Sequence, residues 1–323
     1  DARLIPGNHR VVNFTNYKQG YSIVSLEESK NGRKSVYSTL IQVMETLDEG
    51  IMDQILATRK IPVSRLTCKY NKKVRLAELL CRRFPGIDQI RFCNSGTEAN
   101  IWAMTTARML TGRDTFMAFE GAYHGGVIKF PHGPCPLNLP FDFVLADYND
   151  TEGAEAVIRQ TGDRLAAVIV EPILGAGGNI PGNREFMQML RRVTREVGAL
   201  LIFDEVKTAR IGPGGCHGIL GYQPDMTTLG KFIGGGLPTG AFGGSAEVME
   251  QFNPRRQGAL AHAGTFNNNV FSMAAGCAAM SKIYTPERAA EFLDWSEAFR
   301  LSLNAMFAAK DVPMYANGLG SMI

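Results

Sequence analysis

The chain alternates short, unbroken apolar runs with helix-length amphipathic stretches, and that alternation leaves few folds open. Ala167-Val168-Ile169-Val170 and Leu200-Leu201-Ile202-Phe203 carry no polar residue toward either face. Strands made from them must be covered on both sides, as in a parallel sheet. Runs of this kind predict strands at Gln89–Asn94, Thr115–Glu120, Phe143–Ala146, Ala166–Glu171, Leu200–Asp204, Met226–Leu229 and Ala241–Gly244. Helices are expected at Gly96–Leu110, Thr151–Gln160, Arg184–Val197 and Asn268–Tyr284. Within Arg184–Val197, Phe186, Met189, Leu190 and Val193 recur at helical spacing around Arg191-Arg192, an ordinary amphipathic pattern. The expected fold is α/β, a mostly parallel sheet with helices on both faces. Ligands in such sheets bind beyond the C-terminal ends of the strands.

Polar residues gather at those ends. The run from Leu200 closes on Asp204-Glu205-Val206, and Thr227-Thr228-Leu229-Gly230 leads to a single lysine, Lys231, before Gly234-Gly235-Gly236. A carboxylate paired with a lone amine suits pyridoxal phosphate: the amine holds the aldehyde, and the acid keeps the ring nitrogen protonated. Alone, each residue also fits a strand-end acid or a surface lysine. Upstream, Arg91-Phe92-Cys93-Asn94 runs into Ser95-Gly96-Thr97-Glu98, where a helix begins. Free N–H groups at such a start favour a phosphate, and the same residues form an ordinary N-cap. Tyr123 and His124 lie between glycines in Gly121-Ala122-Tyr123-His124-Gly125. Tyr123 can stack on a flat ring or fill a loop.

In this order the motifs resemble the class III pyridoxal-phosphate aminotransferases, nearest the glutamate-1-semialdehyde aminomutase branch, from about Lys73 to Phe271. The resemblance implies the type I fold of these enzymes and pyridoxal 5'-phosphate as cofactor. It also implies a homodimer that moves an amino group from an amino acid or amine to a keto or aldehyde acceptor. Ser95, Gly96 and Thr97 would bind the cofactor phosphate, with Tyr123 covering the ring and His124 beside it. Asp204 would hold the ring nitrogen, Val206 would touch the opposite face, and Lys231 would form the Schiff base. Gly264 and Thr265 would reach the phosphate of the neighbouring subunit. Glu171, in Glu171-Pro172, would lie near the substrate, and Arg10 in Pro6-Gly7-Asn8-His9-Arg10 would clamp its carboxylate. Arg10 equally fits a surface arginine on an N-terminal arm. An aminomutase, or a cofactor-binding relic without turnover, remains an alternative within this resemblance.

Three regions are expected: an atypical segment over residues 1–72, a large cofactor domain over 73–285, and the start of a small domain over 286–323. The family's strand-rich opening is missing from Ser29–Arg65, and the chain stops at Gly318–Ile323 where a small domain would continue. These ends predict a truncated chain or an altered gene product. A net charge of +3 gives no reason to expect nucleic acid. No apolar run approaches the ~20 residues that span a bilayer. Six scattered cysteines without CxxC spacing predict reduced thiols in a cytoplasmic compartment and no metal site.

Overall fold

The structure, a computed structural model, describes residues 74–323. Among them, Phe252–Asn267 groups apart from a larger unit that comprises Lys72–Gln251 and Asn268–Ile323. The larger unit holds a seven-stranded sheet. Its strands are β1 (Gln89–Cys93), β2 (Thr115–Phe119), β3 (Asp142–Ala146), β4 (Leu165–Val170), β7 (Leu200–Asp204), β8 (Met226–Gly230) and β9 (Gly240–Gly244). A separate two-stranded hairpin pairs β5 (Ile173–Leu174) with β6 (Ile180–Pro181). The order across the large sheet is β1-β9-β8-β7-β4-β2-β3.

The expected parallel arrangement holds from β8 to β3. The glycine-rich β9 runs antiparallel to both of its neighbours. Inserting one reversed strand leaves β1 pointing the same way as β8. The C-terminal ends of β1, β8, β7, β4 and β2 therefore share one edge of the sheet, and β9 begins there.

Helices are α1 (residues 74–83), α2 (Gly96–Thr111), α3 (Thr151–Thr161), α4 (Arg184–Val197), α5 (Gly215–Leu220), α6 (Ala246–Met249), α7 (Val270–Ala278) and α8 (Pro286–Ala309). Helix α2 starts because Ser95, in extended backbone, accepts the N–H of Glu98. It ends at Gly112, whose left-handed φ of 68° closes the last turn. Ala99, Asn100, Ala103, Met104 and Ala107 form its buried stripe, which packs on β8 and β9. On the other side of β8, Leu229 joins Leu76, Leu80, Ile233 and Met273 in an apolar cluster. The predicted helix from Asn268 begins only at Val270, after Asn268 takes a φ of 61°, and finishes as a π turn over Ala279–Ile283.

Every residue of β2 is buried. Phe119 meets Phe186 edge-on at 5.2 Å and Tyr148 at 5.7 Å, locking α4 to the sheet. Phe119→Ala removes this anchor and leaves a cavity, so it should cost about 3–5 kcal/mol of unfolding free energy. Urea denaturation measures this, and a loss under about 1 kcal/mol would contradict the packing described.

Candidate active site

The shared strand edge collects the chemistry. Ser95 follows β1, Tyr123 and His124 follow β2, Glu171 follows β4, Asp204 ends β7, and Lys231 follows β8. Each lies where a strand leaves the sheet, where ligands of such sheets bind.

Asp204 is the most heavily bonded of them. Its side chain is 4% exposed and accepts from Asn100 Nδ2 at 2.8 Å and from the backbone N–H of Val206 at 3.0 Å. The Nδ1 of His124 also lies 2.8 Å from Asp204 Oδ2. Asn100 donates as well to the carbonyl of His124 and accepts from the hydroxyl of Thr228 at 2.6 Å. The network ties β7, β8, α2 and the loop after β2 to one carboxylate. An acid this buried persists as an ion only when its lone pairs are met this way. The Nε2 of His124 is buried without a partner.

Lys231 and the Ser95-Gly96 turn open onto the same cleft of about 460 Å3, which Asn94, Phe232, Gly236 and Thr239 also line. Lys231 takes a φ of 50°, a left-handed conformation that non-glycine residues adopt at a cost. Such strain clusters at functional positions and is sustained by the surrounding structure. Ser95 is the helix cap, and Glu98 Oε2 accepts in return from the N–H of Asn94 at 3.0 Å. Capping leaves the first-turn N–H groups of Gly96 and Thr97 without intrahelical acceptors. Gly96 is required by close approach: a Cβ there would sit 2.6 Å from Val206 Cγ1. Val206 thus lies directly against the phosphate-type turn. Tyr123 is 47% exposed.

Glu171 is buried, and its oxygens accept from the N–H groups of Tyr123 at 3.1 Å and Gly175 at 3.3 Å. Burial pushes its carboxyl up to about 7, opposed by His124 and aided by the charge of Asp204. Beside Asp204, Glu205 turns the other way and is fully buried. It accepts from Thr208 Oγ1 at 2.8 Å and from the N–H groups of Cys216 and His217 at 3.0 and 2.9 Å. The His217 Nδ1 lies 2.8 Å from it. This clamp fixes the turn that carries Val206.

A model of the aminotransferase class-III family matches residues 51–130 and 134–323. The chain belongs to the class-III aminotransferases. It is 52% identical over 249 residues to the β-phenylalanine transaminase of Variovorax paradoxus, covering 77% of this chain and 57% of that protein. The crystal structure of that enzyme superimposes with a TM-score of 0.75, covering 77% of this chain and 58% of that one. An ω-transaminase from Sphaerobacter thermophilus matches at 36% identity and a TM-score of 0.74, over 85% of this chain and 67% of that one. A glutamate-1-semialdehyde 2,1-aminomutase of Staphylococcus haemolyticus is 40% identical over 297 residues, 87% of this chain and 67% of its own length. This aminotransferase chain thus spans well under two thirds of the β-phenylalanine transaminase's length.

The family's cofactor, pyridoxal 5'-phosphate, fits the residues present. A buried, fully bonded acid, a strained lysine on an open cleft and a helix start with free N–H groups match its nitrogen, aldehyde and phosphate. The structure gathers Ser95, Gly96, Thr97, Tyr123, His124, Glu171, Asp204, Val206 and Lys231 at one edge. Gly264 and Thr265 fall within Phe252–Asn267, the separate group. Arg10 lies outside the described residues. Sequence reasoning missed Asn100, Thr228, Glu205 and His217. Their signal was polarity at positions that the helix stripe and the strand interior require to be buried.

The raised carboxyl of Glu171 has a definite consequence for stability. The folded protein keeps this proton to about pH 7, whereas the unfolded chain releases it near 4.5. The contribution to folding is therefore fully present below about 4.5 and lost as pH rises through 7. Glu171→Gln removes that loss. In urea unfolding, the stability of the variant relative to the parent should rise by roughly 1–3 kcal/mol between pH 4.5 and 7 and then level off. A difference independent of pH would contradict a protonated Glu171.

Proposed function

We propose that this chain is a pyridoxal-phosphate-dependent aminotransferase, passing an amino group from an amino acid or amine to a keto or aldehyde acceptor. The observation that carries it is the shared cleft of Lys231 and the Ser95-Gly96 turn, with Asp204 one strand away. When bound, the cofactor supplies an electron sink for the carbanion left by proton removal.

The chain's own residues do the rest. Asp204, held in place by Asn100 and His124, would face the ring nitrogen. Gly96 and Thr97 offer N–H groups to the phosphate, with Ser95 and Thr97 adding hydroxyls. Val206 supports one face of the ring, and Tyr123 covers the other. Lys231 Nζ would hold the cofactor's aldehyde and, once released by the substrate amine, would serve as the base and then the acid of the transfer. Glu171 borders the substrate, with Arg10 as a carboxylate clamp. Gly264 and Thr265 serve the phosphate of a second subunit, so the working form is a homodimer. Cys81, Cys93, Cys135 and Cys216 are free thiols, which supports a cytoplasmic setting. Among the described residues, no helix is long and apolar enough to cross a membrane.

The higher identity to the transaminase than to the aminomutase favours transfer to a separate acceptor. β-Phenylalanine, the substrate in that relative's name, is the first donor to try. Purified protein loaded with cofactor should show a visible absorption band that disappears when donor is added. Lys231→Ala should lack the band and lose at least about 10²–10⁴-fold in turnover. A band and turnover that survive Lys231→Ala would contradict the assignment. Consumption of one substrate with no acceptor present would make the enzyme an aminomutase.

A further inference from the structure

We infer that Ser272 is a positioning residue for Lys231: from helix α7, behind the cleft wall, its hydroxyl holds the turn that presents the lysine. The inference rests on the aminotransferase reading above and deepens it.

Six of the residues that line the cleft, Lys231, Phe232, Gly236, Leu237, Pro238 and Thr239, belong to one stretch between β8 and β9. The stretch opens as a single 3₁₀ turn, Lys231–Gly234. Gly235 closes that turn with a φ of 60° and an N–H donated to the carbonyl of Phe232 at 3.0 Å. The N–H of Leu237 returns to the carbonyl of Gly234 at 3.1 Å. These bonds are all local: they shape the turn without tying it to the rest of the fold. A single 3₁₀ turn has poorly aligned hydrogen bonds. Lys231, at a φ of 50°, needs support from outside it.

Helix α7 supplies that support. Ser272, Ala275 and Gly276 stand at i, i+3 and i+4, so they share one face of the helix. Each of them meets the stretch. Ser272 Oγ donates to the carbonyl of Pro238 at 2.8 Å. A Cβ on Gly235 would sit 2.5 Å from the carbonyl oxygen of Ala275, and a Cβ on Gly276 would collide with the carbonyl oxygen of Ile233. Backbone therefore lies directly on backbone at residues 233 and 235. Below them, Ile233 and Met273 pack with Leu229 of β8 in one apolar cluster. Packing sets how far the turn stands from the helix, and the Ser272 hydroxyl fixes its register.

The carbonyl that Ser272 holds is well placed to anchor the whole stretch. Pro238 has no N–H, so its carbonyl is its one backbone hydrogen-bonding group. Thr239 Oγ1 donates to the same oxygen at 2.7 Å. Thr239 in turn closes on Gly234, where a Cβ would sit 2.6 Å from Thr239 Oγ1. The end of the 3₁₀ turn and the start of β9 thus meet over one oxygen, and Ser272 ties that oxygen to the helix. Serines within helices commonly bond back to their own helix, as Ser281 does to the carbonyl of Cys277 at 2.6 Å. Ser272 is 3% exposed and directs its hydroxyl outward to the turn instead. It acts through Lys231, so its loss should fall on the chemical step rather than on donor binding.

The test compares Ser272→Ala with Ser272→Thr, which keeps the hydroxyl, and with Ser281→Ala, which removes only the back-bond to Cys277. Amide hydrogen exchange is measured first, on the full chain as purified. In Ser272→Ala, peptides covering Lys231–Thr239 should exchange about three- to tenfold faster, with β4 and β7 unchanged. In the cofactor-loaded chain, Ser272→Ala should form its visible band more slowly. It should lose about tenfold in kcat for β-phenylalanine while KM stays within about twofold. Ser272→Thr and Ser281→Ala should match the parent throughout. The proposal is overturned if Ser272→Ala exchanges at the parent's rate, if its loss falls on KM, if Ser272→Thr does no better, or if Ser281→Ala does the same. Should Ser272→Ala fail to fold, Ser272→Cys, of like size and weak as a donor, is read the same way. Failure of both makes Ser272 a folding residue and also overturns the proposal. The visible band separates the two levels. A parent without it sinks the aminotransferase reading, whereas a parent with it beside a Ser272→Ala variant of parental exchange and turnover sinks only Ser272.

Discussion

The site depends on one buried carboxylate. Asp204 ends a strand that is apolar on both faces, and a charge delivered there would be expelled or neutralised if left alone. Asn100, His124 and the Val206 N–H meet it instead, and Thr228 steadies Asn100 from the adjacent strand. Each partner belongs to a different element, so satisfying the acid also registers α2 and the β2 loop against β7 and β8. Folding the sheet and assembling the site are the same event. The phosphate-type turn gains from it too, because Asn100 stands on the helix that this turn begins.

A second acid works beside the first without entering the cleft. Glu205 gathers four donors from Thr208, Cys216 and His217, closing the loop after β7. Adjacent residues on one strand end point to opposite sides, so Asp204 and Glu205 serve the site and its support respectively. Glu171 forms a third case: its donors are backbone N–H groups only, and burial outweighs them. The three carboxyls differ in role because they differ in partners.

Much of this was legible in the chain. All seven sheet strands fall within a residue or two of the expected spans, most plainly β4, an apolar run buried at every residue, because a strand covered on both faces leaves no other pattern. The Asp204, Lys231 and Ser95–Thr97 motifs fall together on one edge of the sheet. The direction of β9 was not legible: Gly240, Gly243 and Gly244 erase the alternation that would reveal its pairing. The hairpin of Ile173–Leu174 with Ile180–Pro181 is too short to carry a period. Helix α8 was missed although Thr285 caps it and Pro286 starts it. Phe292, Trp295 and Phe299 recur on it at helical spacing and stack on one another, but this stripe stands exposed rather than in the core. Asn100 and Thr228 escaped notice because a polar residue in a buried stripe is informative only once its partner is known.

The central claim is that this strand edge holds one cofactor through Lys231. Borohydride reduction of the cofactor-loaded chain makes that link permanent, and peptide mass mapping then identifies the lysine. The account predicts a single modified peptide carrying the cofactor on Lys231. Label on Lys207 or another lysine, or no stable label in folded protein, would contradict it.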